Sequence, residues 1–368
     1  MMKRFLLLLG LSFYCIDPLN GSVAGTVDTA FNASGTNPGF ENLNSEITSV
    51  FPIHSTIQSI LRISDGSYFV AGSDGTNGYL TKFDSNDHQD TTFGGGAIIT
   101  FPGCVNLFDM IITLAGGLFI VGYENSYYGF IAYLDTTFGN PIPGFNSTVA
   151  TSNYQVFYSV AQQSNGRIII SGTDTGDNLL LVAINSVTGA IDTSFATSGI
   201  YITNISNWNV YPPQIIIDAQ NHIYFVLNNA SGNNGNLIQL SADGTTINWQ
   251  TPISFMFAFA VIGFDQNNHV FVTTQSASNH HNVVIGLYNI SNGSVAQGPA
   301  TITLTAFTAA VHVQSVFLDQ IGNFILTGKS QYPFVMRVLA NLSGLDTTFN
   351  PSPAPYPGIQ TITFPNTT

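Results

Sequence analysis

Charge is what this chain has least of. Its 368 residues include 7 Lys+Arg and 20 Asp+Glu, so 7% are charged, where soluble domains usually carry about a quarter. The formal net charge of -13 gives a surface that repels nucleic acid and anionic lipid. Cysteine is nearly absent, at two residues, Cys15 and Cys104, which excludes a disulfide-stapled scaffold and leaves packing to hold the fold. Beyond residue 24 no apolar run reaches the roughly 18 residues of a membrane-spanning helix. No segment there sustains the 3.6-residue periodicity of an amphipathic helix.

What is present points to β structure. Hydrophobic residues make up 44%, so the chain buries a core, and it carries 35 Gly, 28 Phe and 15 Tyr. Short strands joined by tight turns have this composition.

The first 24 residues stand apart. Lys3 and Arg4 precede an apolar run from Phe5 to Ile16, and Ser22-Val23-Ala24 supplies small residues for cleavage. The pattern predicts a secretory signal peptide over residues 1–24 and a mature protein that is secreted, periplasmic or on the cell surface. Bulky Phe13 and Tyr14 before Cys15 argue against lipidation. Removal of the leader leaves five basic and nineteen acidic groups, a net charge of -14, and Cys104 as the remaining thiol. Residues 25–46 are read as an N-terminal segment and 47–368 as one repeat domain.

Two markers define the repeat. Asp-x-x-Phe recurs as Asp28–Phe31, Asp90–Phe93, Asp135–Phe138, Asp192–Phe195 and Asp346–Phe349, with degraded copies at Ile247-Asn248-Trp249 and Val295-Ala296. The six intervals average 53 residues. Separately, apolar runs end at Gly72, Gly122, Gly172 and Gly328, and Ile223–Leu227 and Val270–Thr273 fill the gap. Each unit holds four strand-like runs, in the first unit 57–63, 68–72, 79–83 and 97–102. Asp65-Gly66, Gly116-Gly117, Asn165-Gly166, Gln220-Asn221, Asn267-Asn268 and Gly322-Asn323 read as two-residue turns between the second and third strands. Four-stranded units of this length without helices predict an all-β, six-bladed β-propeller of antiparallel blades. An apolar stretch near Thr48–Ile53 keeps seven blades open as the alternative, or serves as a latch beside the last strand, 359–364.

The Asp-x-x-Phe signature and its spacing resemble the delta-60 repeat family of bacterial exported propeller-like proteins, over residues 28–364. In that family a strand ending Arg-Leu-Asn leads to Asp-Gly-x-Leu-Asp-x-x-Phe-Gly. This chain keeps Phe93-Gly94 and Phe138-Gly139, and the basic position at Arg337 and, as lysine, Lys82. It departs at Ala132, Ala183, Gln239 and Gly286. The resemblance implies an exported propeller and names no active site.

Candidate chemistry is weighed against plainer roles. The repeated Asp carboxylates could form a crown, but one group copied in every unit fixes turns, while a catalytic site needs unlike groups converging. The run Asp84-Ser85-Asn86-Asp87-His88-Gln89-Asp90 has calcium-loop alternation, yet Gln89 stands where the turn needs Gly and Gly95 where the loop needs a bidentate Glu. Of His54, His88, His222, His269, His280, His281 and His312, no pair has metalloprotease spacing. His222 and His269 share a phase in neighbouring units. There is no Gly-x-Ser-x-Gly elbow, Cys104 lies in an apolar strand, and Gly94-Gly95-Gly96 leads into a strand, not a helix. Tyr127-Tyr128, Trp208 with Tyr211, and Trp249 are loop aromatics able to hold sugars or peptides, or to pack between blades. Eight Asn-x-Ser/Thr sequons occur and are read as chance in an Asn-rich chain.

The sequence therefore predicts a monomeric binding or scaffolding module for a protein or glycan ligand, with no catalytic, cofactor-binding or metal residue assigned and no cofactor expected. A propeller hydrolase acting on glycans or phosphoesters is the alternative.

Overall fold

The computed structural model describes residues 56–361 apart from 87, 126–127, 146–153, 175, 177, 204–213, 229–234, 254–256, 276–280, 305–306, 308, 320, 331–332 and 350–356. The leader, the N-terminal segment, the stretch 48–53, the first Asp-x-x-Phe copy and the aromatics Tyr127, Trp208 and Tyr211 lie outside the described residues.

Six antiparallel sheets follow one another along the chain as the blades of a ring. Blade 1 is β1 (Thr56–Arg62), β2 (Tyr68–Ser73), β3 (Asn77–Phe83) and β4 (Ile99–Pro102). Blade 2 shows β5 (Cys104–Ile112), β6 (Gly117–Glu124) and β7 (Gly129–Asp135). Blade 3 is β8 (Tyr154–Gln162), β9 (Arg167–Asp174), β10 (Leu179–Asn185) and β11 (Ile200–Ile202). Blade 4 is β12 (Ile215–Ile217), β13 (Ile223–Asn228), β14 (Gly235–Leu240) and β15 (Ile247–Ile253). Blade 5 is β16 (Phe257–Phe264), β17 (His269–Gln275), β18 (Asn282–Asn289) and β19 (Val295–Thr303). Blade 6 is β20 (His312–Leu318), β21 (Phe324–Lys329), β22 (Pro333–Val338) and β23 (Ile359–Thr361). The six-blade expectation holds. The anticipated last strand, 359–364, is described as the three residues of β23.

The central strands are apolar on both faces, as in Leu118-Phe119-Ile120-Val121, where Leu118 and Ile120 meet blade 1 and Phe119 and Val121 meet blade 3. Phe69, Leu80, Cys104, Leu107, Leu118 and Ile120 fill the space between blades 1 and 2. Phe119, Phe157, Ile170 and Val182 do so between blades 2 and 3. The largest core joins blades 5 and 6 through Phe271, Ile285, Phe324 and Met336.

The turn residues identified in the sequence join the first strand of each blade to the second, not the second to the third. They close three-residue loops, one longer than expected. In blade 1 the Gly66 N–H donates to the Ile63 carbonyl and the Ile63 N–H to the Ser67 carbonyl, 3.0 and 2.9 Å. The third loop residue has positive φ throughout: Gly66 (89°), Gly116 (82°), Gly166 (90°), Asn221 (69°), Asn268 (62°) and Gly322 (86°). A type I turn followed by a left-handed residue uses Gly or Asn there and gives a tight hairpin.

The second marker has a geometric cause. The innermost strands bulge, with register breaks at Ile57/Ser59, Leu107/Asp109, Phe157/Ser159 and Val313/Ser315. Opposite each bulge stands a marker glycine, pairing Gly72 with Ile57, Gly122 with Leu107, Gly172 with Phe157 and Gly328 with Val313. A Cβ at these glycines would overlap the carbonyl oxygens of Thr56, Asn106, Val156 and His312. The extra residue of the bulge brings backbone against backbone, and only glycine leaves room.

Candidate functional site

The repeated Asp residues hold turns, as their plainer reading requires. Asp90 Oδ1 accepts from the Thr92 N–H and hydroxyl at 2.9 and 2.6 Å. Asp192 and Asp346 repeat this with Ser194 and Thr348. Three of the Asp residues carry a cation. Lys82 Nζ lies 3.2 Å from Asp90, Arg167 Nε 2.7 Å from Asp192 and Arg337 Nη2 2.6 Å from Asp346. Each cation also stands over an aromatic ring, Lys82 over Phe69, Arg167 over Phe195 and Arg337 over Phe349, 5.3–5.7 Å from the centroids. Partial burial raises the pKa of Asp90, Asp192 and Asp346, but their hydroxyl, N–H and cation partners outweigh it and hold all three below the ordinary carboxylate value.

Blade 3 has Ala183 where blades 1 and 6 have Lys82 and Arg337, and Arg167 from the adjacent strand β9 takes the place of the basic residue. Sequence reasoning missed this because the substitute arrives from a different strand.

Two of the signature aromatics, Phe93 and Phe195, pack against the next blade. Phe93, Phe195 and Phe349 are buried. The Phe93 ring stands against Gly139 of blade 2 and Phe195 against Gly244 of blade 4. Trp249, in the degraded copy of blade 4, lies against Gly293 of blade 5 and its Nε1–H donates to the Ile290 carbonyl at 3.0 Å. Trp249 is thus the aromatic of its own blade, not a loop platform. Phe138 departs from the expectation: it is 57% exposed, because the backbone N–H groups of Thr137, Phe138 and Asn140 turn onto Asp135 and leave the ring outside.

Other candidates resolve likewise. Asp84 accepts the N–H groups of Asn86 and His88 within its own turn. His222 and His269 lie 2.9 Å through Nδ1 from Asp218 and Asp265, the carboxylates of their own turns. The Cys104 thiol is fully buried, and desolvation with the nearby Glu124 charge pushes its pKa up to about 12, the behaviour of an inert structural thiol. The sequon residues Asn292 and Asn341 accept the Ser294 and Ser343 N–H groups in turns.

What the sequence did not reveal is the axis of the ring. The innermost strands surround a cavity of about 590 Å³ lined by Phe108, Asp109, Tyr158, Ser159, Gln214, Ala260, Val261, residues 312–316 and Lys329. A belt of side chains runs around it from blade to blade. Gln58 Oε1 accepts the Leu107 N–H of blade 2 at 2.8 Å, and Asp109 Oδ2 the Val160 N–H of blade 3 at 2.9 Å. Ser159 Oγ accepts the Ile215 N–H of blade 4 at 3.4 Å, and Gln214 Oε1 the Ile262 N–H of blade 5 at 3.0 Å. Each polar side chain thereby satisfies a donor on the next innermost strand.

Asp109 is the carboxylate of the described lining. It also accepts the Ser159 hydroxyl at 2.9 Å and the Met110 N–H at 2.9 Å. Desolvation pushes its pKa up to about 6 against these three donors. Beside it Phe108 packs on Tyr158 at 5.2 Å and on Tyr123 at 5.8 Å. On another wall blade 6 contributes His312, Gln314 and Lys329. Phe108, Tyr158 and Gln314 are the residues skipped in the register of their strands, so the bulges aim them at the axis.

No family model matches the chain and no curated protein matches it. Solved structures do. A mutant of AofleA from Arthrobotrys oligospora aligns with TM-score 0.51 and 11% identity over 85% of this chain and 88% of that one. A candidate 6-phosphogluconolactonase from Bacteroides fragilis aligns with TM-score 0.50 and 11% identity over 78% and 81%. The Dos1 propeller aligns with TM-score 0.47 and 10% identity over 77% and 66%. At this identity the likenesses speak to fold alone.

Proposed function

We propose that this chain is an exported binding propeller whose ligand enters the central channel. The observation that carries the reading is the cavity of about 590 Å³, built from unlike side chains of five blades, in the size range of small-molecule sites. Its lining combines amides, hydroxyls, one carboxylate held by three neutral donors, the His312 and Lys329 side chains, and two aromatic rings. Hydrolysis by a carboxylate pair needs a second acid beside the first, and the described lining provides Asp109 alone. Export to the cell surface, the periplasm or the medium accords with the basic start, apolar run and small-residue site of residues 1–24. The delta-60 resemblance supports the same assignment.

The test is a thermal-shift screen of mono- and disaccharides, amino acids and short peptides against the wild type and Gln314→Trp. Gln314 is exposed and faces the cavity, so an indole there fills the channel with little strain on the sheet. Ligands that raise Tm in the wild type and not in Q314W support a channel site. Hits unaffected by the indole refute it.

A further inference from the structure

Resting on that channel reading, we infer that the ligand carries a quaternary ammonium group, held where Asp109 of blade 2 meets the rings of Phe108 and Tyr158. Two successive positions of the innermost strands build this wall. The residues skipped at the bulges of blades 1, 2, 3 and 6 are Gln58, Phe108, Tyr158 and Gln314, and the residues that follow them are Ser59, Asp109, Ser159 and Ser315. The two aromatic residues thus stand in blades 2 and 3, the same two blades that Asp109 bridges by accepting from Ser159 and Val160. Phe108, Asp109 and Tyr158 all line the cavity. Phe108 lies 5.2 Å from Tyr158 and 5.8 Å from Tyr123, nearly parallel to the latter at 20°, so its ring is held in place.

Among the described residues Asp109 forms no ion pair, and its three hydrogen-bond donors are a hydroxyl and two amides, all neutral. A carboxylate answered only by neutral dipoles retains attraction for a cation, and a carboxylate beside aromatic rings is the combination that recognises an ammonium group. Belt duty alone does not require the charge, since Ser159 and Gln214 accept the equivalent N–H groups of blades 4 and 5 with neutral side chains. The excess of 20 Asp+Glu over 7 Lys+Arg adds a field that draws cations. His312 and Lys329, on the blade 6 wall, are each engaged with groups of their own, and the Asp109 wall does not call on them.

Hydrogen bonding selects the kind of ammonium. The two oxygens of a carboxylate offer about four lone-pair sites, and the Met110 N–H, the Ser159 hydroxyl and the Val160 N–H already occupy three at Asp109. A primary ammonium brings N–H donors of its own, most of which this wall would leave unmet. A quaternary ammonium brings none. It needs negative charge for its centre and rings for its methyl groups, which Asp109, Phe108 and Tyr158 supply together.

The experiment is isothermal titration of the exported form at pH 8, above the Asp109 pKa of about 6, with choline, tetramethylammonium, ethanolamine, the neutral tert-butyl isostere of choline, and maltose. Choline and tetramethylammonium are expected to bind saturably, about tenfold or more tighter than ethanolamine or the isostere. Asp109→Asn is expected to bring choline down to its isostere, and Phe108→Leu to weaken choline about tenfold. If D109N does not fold, the wild-type series and F108L decide alone. Phosphatidylcholine vesicles separate two sources of the group: co-sedimentation that choline reverses identifies a lipid headgroup, and choline binding without co-sedimentation identifies a free solute. Equal affinity for choline and its isostere, or for choline and ethanolamine, overturns the inference. Binding of maltose and not of choline overturns it while leaving the channel reading intact. Choline binding that survives Q314W refutes the channel site and the inference with it. Silence from choline and tetramethylammonium overturns the inference, and the wider screen then decides the channel reading.

Discussion

Replacing Gly122 by alanine tests whether the marker glycines are there to admit the bulges. In blade 2 the bulge between Leu107 and Asp109 brings the Asn106 carbonyl onto Gly122, where a Cβ would overlap it. The obstruction is backbone, and it cannot swing aside as a side chain would. Moving it would disturb Leu107, which is fully buried and whose N–H is held by Gln58. Overpacking of a tight core costs about 1–3 kcal/mol, and a backbone obstacle places G122A near the top, about 3 kcal/mol. Equilibrium denaturation followed by far-UV circular dichroism measures it as a fall in midpoint. Six residues beyond the left-handed turn residue, where blades 1, 2, 3 and 6 carry glycine, blades 4 and 5 carry Leu227 and Thr274. Leu227→Ala therefore serves as a comparison, expected to lose cavity energy of about 2–3 kcal/mol rather than suffer a clash. A second substitution separates the two: Gly122→Ser should be worse than G122A, while Leu227→Met should be tolerated. A G122A midpoint within about 0.5 kcal/mol of wild type would refute the close-approach account.

Three further outcomes are expected. Phe93→Ala should destabilise by about 3 kcal/mol because the ring is buried against blade 2, whereas Phe138→Ala, at 57% exposure, should stay within about 0.5 kcal/mol; equal losses in thermal denaturation would contradict the difference between the two copies. Arg337→Ala, which strands Asp346 and uncovers Phe349, should lose about 2 kcal/mol at neutral pH. Because Asp346 titrates below its ordinary value when folded, its contribution is present above the ordinary carboxylate pKa and fades as pH falls, so the R337A deficit should shrink in acid. Asp109 has the opposite sign: its folded pKa is raised to about 6, so its contribution is present below about pH 4 and lost as pH rises through 6, and D109N should remove about 3 kcal/mol of pH dependence between those limits in denaturant midpoints.

The architecture was legible because its causes are local and copied. A left-handed residue at the first turn, glycine six residues later and Asp-x-x-Phe after the third strand are each demanded within one blade. The role of the signature Asp followed from turn chemistry, and the degraded copy at Trp249 kept its aromatic packing even without the Asp. The assignment of the turns failed by one strand because spacing alone does not say which hairpin a turn closes. Phe138 failed because its motif is intact while the turn on Asp135, which gathers the Thr137, Phe138 and Asn140 N–H groups, leaves the ring outside. The channel was invisible for a deeper reason. Phe108, Asp109, Tyr158, Gln214, Gln314 and Lys329 come from four blades, and their common axis exists only after the ring has formed. A cue lay in the repeat itself: a lone Asp at a phase where blades 1, 3 and 6 have Ser59, Ser159 and Ser315.

Occupancy of the channel is tested most directly by protection of an introduced thiol. Gln314→Cys places a reactive group on the channel wall in a protein whose own Cys104 is buried, with its pKa pushed up to about 12; Cys15→Ser removes the other thiol. Alkylation by iodoacetamide, followed by mass spectrometry, is predicted to slow at position 314 when a ligand from the screen saturates the protein. Alkylation of Val187→Cys, on an exposed turn at 72%, should be unchanged. Equal rates at position 314 with and without saturating ligand would contradict a ligand seated in the channel.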